Sequence, residues 1–149
     1  MTTTTAVVHR SFGQVYRDRG YFFREAAMLT IALGFCLHLF RVLFGDAATL
    51  QYAVTPLTDA ILMVPMTYAA ITGILARPRM IFVNRAHMIA VTGAIGYLTI
   101  SVPLHVYVLL VLEDVGFYVS MAGPWFSYLL LCLVYPVFLA MLWRLRFRR

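Results

Sequence analysis

Residues 57–76 read LTDAILMVPMTYAAITGILA, and residues 77–85, which follow directly, read RPRMIFVNR. The first segment is apolar apart from one aspartate, whereas the second carries three arginines. A helix needs about 20 apolar residues to cross ~30 Å of hydrocarbon. An arginine-rich connection at the end of such a run is typical of the cytoplasmic side of a membrane span. Together the two segments predict a membrane helix that ends in the cytoplasm.

Three further apolar runs cover about residues 26–44, 86–112 and 124–143. None shows the two-residue alternation of barrel strands, so helices are the structure that satisfies their backbone in lipid. The connections are short, which makes consecutive helices antiparallel neighbours. We therefore predict an all-α membrane protein, with four transmembrane helices in an up-down-up-down bundle over residues 26–149.

The composition supports a membrane protein and argues against a soluble one. Hydrophobic residues make up 62% of the chain and charged residues 12%, whereas soluble domains are about 45–50% apolar and about 25% charged. The net charge of +6 comes from twelve basic residues, all of them arginine. Because these arginines flank the apolar runs, their expected partner is the lipid bilayer, and we predict no binding to nucleic acid.

The orientation follows from the position of the arginines. The segments before the first run, between the second and third, and after the fourth are arginine-rich. In the other two connections the charged residues are all acidic: Asp46, Glu113 and Asp114. By the positive-inside rule, both termini are predicted to be cytoplasmic, in a multi-pass protein of a bacterial-type inner membrane.

Residues 1–25 are predicted to be a cytoplasmic and interfacial segment. Within it, residues 12–23 place their aromatic side chains near one helical face, which is typical of a short amphipathic interfacial helix. This helix is expected to dock on lipid headgroups or on a partner subunit.

Polar residues inside the apolar runs recur at helical spacing. Thr30, Gly34, His38 and Arg41 share one face of the first helix, as do Gly93, Tyr97, Ser101 and His105 on the third. Asp59 begins the second helix, and the fourth is expected to add a stripe of Tyr128, Cys132 and Tyr135. Intramembrane ionisable groups are costly and mark functional sites.

We therefore predict a ligand-binding pocket in the outer half of the bundle, with Glu113 and Asp114 at its mouth. Its predicted lining residues are His38, Arg41, Asp59, Tyr97, Ser101, His105 and Tyr135.

Structural roles are the alternative for these residues. Arg41 is expected to pair with Asp59, and the histidines to form hydrogen bonds between helices. His38 and His105 lie at matched depth on parallel helices, so axial ligation of a b-type haem is a further hypothesis. No metal site is predicted. Cys36 and Cys132 are interpreted as small buried hydrophobic residues, and His87 as solvated at the cytoplasmic interface.

Two segments resemble a known family. LTDAILMVP at residues 57–65 and YLLLCLVYP at 128–136 are similar to the emopamil-binding and sigma-2-receptor type of four-helix membrane protein, which has an acid early in its second span followed by a proline. The resemblance covers about thirty residues and implies that Asp59 lines a lipid or sterol pocket. This chain has a shorter first outer loop and lacks the further acidic residue of that family.

The sequence contains no H-E-x-x-H, G-x-S-x-G, phosphate-loop or metal-type cysteine motif. Small residues every four positions, such as Ala69 and Gly73, suit close helix contact with other subunits, by self-association or within the chain. The favoured hypothesis is a non-enzymatic accessory or scaffold subunit of a larger membrane complex. The alternatives are a small-molecule, proton or lipid binding or transport unit, a b-type haem or quinone electron carrier, and an emopamil-binding-like lipid isomerase.

Overall fold

The computed structural model of the chain describes residues 22–110 and 123–148, apart from the side chains of residues 108 and 109. Most of these residues are helical. The helices are α1 (Phe22–Ala48), a π-helical turn (Thr49–Ala53), α2 (Pro56–Ala76), α3 (Arg85–Leu110) and α4 (Gly123–Arg144). Two short strands, β1 (Met80–Ile81) and β2 (Arg146–Phe147), complete the described fold.

Four segments are long and apolar enough to cross a membrane: Phe22–Ala53, Pro56–Arg79, Arg85–Tyr107 and Gly123–Arg144. Large apolar side chains point outward from all four of them, and Val64 and Ile100 are 73% and 70% exposed. Exposure of this apolar surface to water is unfavourable, whereas lipid acyl chains can cover it without that cost. The prediction of four helices long and apolar enough to span a membrane is confirmed.

The second and third helices begin where their sequences allow the first turn to be capped. Thr55 and Thr58 form a reciprocal capping box at the start of α2, with Pro56 as its first residue. At the start of α3, Asn84 Oδ1 accepts a hydrogen bond from the His87 amide at 2.8 Å. Both caps satisfy amide groups that have no partner in the helix itself.

The helices form a ring in which α1 and α3 each contact α2 and α4. Small residues bring α1, α2 and α3 close together. A Cβ added at Gly73 of α2 would lie 2.8 Å from Cε2 of Phe23 and 3.1 Å from Cγ1 of Ile95. Ala69 and Ala94 are also fully buried. The small-residue stripe of α2 therefore packs within the chain.

The two strands pair antiparallel, with Met80 opposite Phe147 and Ile81 opposite Arg146. The Arg148 amide extends this contact by donating to the Arg79 carbonyl at 2.8 Å. The pairing fastens the chain after α4 to the connection between α2 and α3. Two of the arginine-rich segments therefore lie at the same end of the bundle, which we call the basic end.

The first helix is longer than predicted. It continues past Gly45, which has φ 82° and ψ 174°, a backbone region that is essentially restricted to glycine. The chain bends there and runs on through Ala48 into the π-helical turn, so most of the predicted connection 45–56 is helical. At its other end, α1 already includes residues 22 and 23, which belonged to the predicted interfacial helix 12–23. The rest of that helix lies outside the described residues, as do Glu113 and Asp114.

Three side chains lie in environments that differ from the prediction. Cys36 and Cys132 are exposed on the outside of the bundle rather than buried. His87 is buried rather than solvated, with Nδ1 accepting from the Val83 amide at 3.0 Å and Nε2 bonded to the Met141 carbonyl at 2.8 Å. The cause is the strand pairing, which folds the connection over the end of α3.

Candidate functional site

A cavity of about 160 Å³ lies between the four helices, at the end of the bundle opposite the strands. Residues from every helix line it, and they include all seven of the predicted site residues. These seven are His38, Arg41, Asp59, Tyr97, Ser101, His105 and Tyr135.

The polar residues of α1 recur every three or four positions, and this spacing places them on the cavity wall. Thr30, Gly34, His38 and Arg41 all line the cavity. Gly34 lets Tyr135 approach the helix, since an added Cβ would lie 3.0 Å from the tyrosine hydroxyl. On α3 the stripe is shorter than predicted, because Gly93 is not among the residues that line the cavity.

Arg41 and Asp59 each have a partner at the cavity. The Arg41 Nε donates to Asp46 Oδ1 at 2.6 Å, and His105 Nδ1 lies 3.4 Å from Asp59 Oδ1. The predicted pairing of Arg41 with Asp59 is thus replaced by two separate pairs on the same cavity. Arg41 and Asp59 are each only 7% exposed, and a buried charge is tolerated where a partner of opposite charge or a hydrogen bond compensates it.

Two neutral hydrogen bonds connect α4 to the other helices. His38 Nδ1 is bonded to Ser127 Oγ at 2.9 Å, and the hydroxyls of Tyr97 and Tyr135 are bonded at 2.7 Å. Within the part of the chain that the structure describes, Nε2 of His38 and of His105 has no hydrogen-bond partner. These two nitrogen atoms are available to a bound molecule.

A π-helical turn at Leu130–Val134 decides which residues of α4 line the cavity. Its i→i+5 pattern adds one residue to the turn, so residues on either side change register by ~100°. Ser127 and Tyr135 are buried, whereas Tyr128 and Cys132 are exposed. The predicted stripe of Tyr128, Cys132 and Tyr135 is therefore wrong except at Tyr135.

Apolar residues of the core and the segment that follows the bend at Gly45 complete the lining of the cavity. Leu62 and Met66 line it on the side of the core, and beyond them the bundle is filled by fully buried residues such as Ala94 and Leu98. Residues 49–54, which we call the cover segment, follow the bend at Gly45 and contribute Thr49, Ala53 and Val54 to the lining.

Asp46, Thr49 and Ser127 are site residues that the sequence analysis did not include. Gly45 was the available signal for the first two, because a glycine at the end of an apolar run marks a bend. No pattern in the sequence marks Ser127, since its orientation depends on the π-helical turn.

The cavity does not fit a haem. At about 160 Å³ it is below the ~300 Å³ at which pockets for drug-sized ligands begin, and a porphyrin is larger than these. Among residues 22–110 and 123–148, no three histidine, cysteine or acidic side chains form a group that could hold a metal ion.

Comparison of the chain with protein-family models, with curated proteins and with solved structures found no match.

Proposed function

We propose that this chain is a multi-pass membrane protein that binds a small polar molecule, or the polar head of an amphipathic one, in the cavity between its four helices. The observation that carries the proposal is the convergence of seven polar side chains from all four helices on one open space. Intramembrane ionisable groups cost ~2.5–3.5 kcal/mol each on insertion scales. Binding of a ligand by these groups would explain why the chain retains them despite this cost.

Purely structural pairing explains the cavity less well. Arg41 and Asp59 already have partners in Asp46 and His105, yet the side chains leave about 160 Å³ between them. At ~30 Å³ per water, this space holds on the order of five water molecules. A set of ion pairs whose role was only to hold helices together would be expected to pack without such a space.

The walls favour an uncharged ligand. Asp46 pairs with Arg41 and His105 lies beside Asp59, so the charged side chains of the cavity already have partners, while the hydroxyls of Tyr97 and Ser101 and the Nε2 atoms of the two histidines offer further hydrogen bonds. Leu37, Leu104 and Phe126 supply apolar contacts. Pockets of this kind use a few polar groups to orient a ligand and apolar surface to hold it. A small hydroxyl or amide compound fits these walls.

Binding is favoured over passage through the bundle. Between the cavity and the basic end, the core consists of apolar residues such as Val91, Ala94 and Leu98, none of them exposed. The buried hydroxyl of Thr72 is bonded to the Tyr68 carbonyl of its own helix. No polar path therefore crosses this described part of the core.

The proposed orientation has both termini in the cytoplasm of a bacterial-type inner membrane and the cavity in the outer half. Its support is the strand pairing, which gathers the arginines of residues 77–85 and 144–148 at the basic end. Arginine-rich segments are retained on the cytoplasmic side.

Native mass spectrometry of the protein from its own membranes tests the proposal. The wild-type chain is expected to carry a bound small molecule, and Asp59→Asn and His105→Ala are expected to lose it while expression is retained. Glu25→Gln changes an exposed carboxyl far from the cavity and is the matched control. A bound mass that is unchanged in both cavity variants would contradict the proposal.

A second candidate function is that of an accessory subunit, and one observation on α3 supports it. Thr92 and Gly93 are exposed, and a Cβ added at Gly96 would meet no atom within 4 Å. Such a small-residue surface allows another membrane helix to approach closely. Co-purification of partners that Gly96→Leu abolishes is the expected result. A partner-free monomer after mild extraction would count against this candidate.

A further inference from the structure

The basic end carries six arginines in the described residues: Arg77, Arg79, Arg85, Arg144, Arg146 and Arg148. The pairing of β1 with β2 brings the three arginines of residues 77–85 close to the three of residues 144–148. The sequence has no acidic residue between Asp59 and Glu113, and none after Asp114. The segments that form the basic end therefore supply no acidic side chain.

Several contacts of these arginines are with uncharged groups. Arg146 Nη1 donates to the carbonyls of Trp143 and Leu145 at 3.3 and 3.2 Å, and Arg79 Nη2 donates to the Arg148 carbonyl at 3.0 Å. The Arg77 guanidinium lies 4.6 Å from the centroid of the Phe82 ring. These contacts orient the guanidinium groups.

The strand pairing at the basic end is weak by itself. Each strand has two residues, and an isolated two-stranded pairing is marginally stable in water. The like charges that it gathers repel one another. A bound anion that interacts with both segments would reverse this repulsion.

The position of the basic end identifies the anion. The arginines lie at the ends of the apolar segments Pro56–Arg79 and Gly123–Arg144, which is the depth of the lipid headgroups. Trp143 is 69% exposed beside them, as expected for a residue at the membrane interface. Ile74 and Leu75 are exposed just before Arg77, as expected for side chains that face acyl chains.

We propose that the basic end binds the phosphate of an anionic phospholipid, and that this lipid holds β2 on β1. Arginine suits this role because its guanidinium forms paired hydrogen bonds with phosphate oxygens. The proposal is independent of the cavity, which lies at the opposite end of the bundle.

Hydrogen exchange of the full chain in lipid nanodiscs tests the proposal. The readout is the C-terminal peptide that contains the Arg148 amide, which donates to the Arg79 carbonyl. Exchange is expected to be about tenfold slower in discs that contain phosphatidylglycerol than in discs of phosphatidylcholine alone, since several arginines each gain from an anionic surface. Amides in the middle of α3 are expected to exchange equally in both discs, which shows that the bundle remains folded.

The double variant Arg146→Gln/Arg148→Gln is expected to lose the lipid dependence, whereas Arg24→Gln, whose arginine is paired with Glu25, keeps it. Equal exchange in the two lipids would overturn the proposal. It would also be overturned if the double variant retained the dependence. Protection by inorganic phosphate in phosphatidylcholine discs that equals that of phosphatidylglycerol would identify a free anion as the ligand and overturn the lipid.

Discussion

His87 shows how a buried polar residue serves the fold rather than the site. Its Nδ1 accepts a hydrogen bond from the Val83 amide, so the ring proton lies on Nε2 and is donated to the Met141 carbonyl. The neutral ring thus joins the α2–α3 connection to α4. It leaves no hydrogen-bonding atom for a ligand.

Replacing His87 with alanine is expected to destabilise the protein by about 2–6 kcal/mol, because two backbone groups each lose their partner at ~1–3 kcal/mol. The free energy of unfolding in a mild detergent measures this. Ile89→Ala, on the exposed side of the same helix, is the control and is expected to have little effect. A His87→Ala protein as stable as this control would contradict the structural role.

At the residue scale, the sequence predicted well which residues come together at the cavity. It predicted less well which of their atoms form hydrogen bonds and ion pairs. The position of polar residues in the apolar runs identified seven of the residues that line the cavity. The choice of Asp46 for Arg41 depends on the bend at Gly45, and the burial of His87 depends on the strand pairing. Neither is encoded in periodicity, because each involves backbone outside a regular helix.

Helix irregularities shape the site at the level of elements. The bend at Gly45 positions the cover segment, and the π-helical turn in α4 turns Ser127 inward and Tyr128 outward. The four apolar helices themselves were predictable from hydrophobic length. A π-helical turn was not, since its residues, LLCLV, are ordinary for any membrane helix.

Deletion of Leu133 tests the π-helical turn. The remaining residues are expected to form a regular α-helix in which Ser127 and Tyr135 stay on one face, because seven residues make about two turns. Leu133 is exposed, so its loss removes no core contact. Deletion of Val137 instead rotates the buried Leu142 by ~100°. We expect the first variant to fold with a Tm near that of the wild type and the second to fail. Equal failure of both would contradict the register argument.

Close packing at Gly73 is testable by a single methyl group. Gly73→Ala is expected to cost about 1–3 kcal/mol, the usual cost of overpacking, because the new Cβ would lie 2.8 Å from Phe23. Gly96→Ala is the matched control, since a Cβ there meets no atom within 4 Å. Thermal unfolding in detergent measures both, and equal Tm values would contradict the described approach of α1 to α2.

The two ends of the bundle differ in chemistry, and the core between them is apolar. One end gathers arginines at the strand pairing, and the other holds the cavity with Asp59 and His105. The arginine distribution predicted this polarity from the sequence. The size of the cavity could not be predicted, because it depends on how closely the side chains of four helices pack.

Reactivity of a thiol placed in the cavity tests the central claim most directly. In a chain whose two exposed cysteines are replaced by alanine, Ser101→Cys in nanodiscs is treated with a positively charged methanethiosulfonate reagent. The thiolate is the reactive form and needs a polar environment. Ser101→Cys is therefore expected to react, while Leu98→Cys in the core and Ile100→Cys on the lipid-facing side remain unmodified. A Ser101→Cys thiol as inert as these two controls would contradict a polar, accessible cavity inside the bundle.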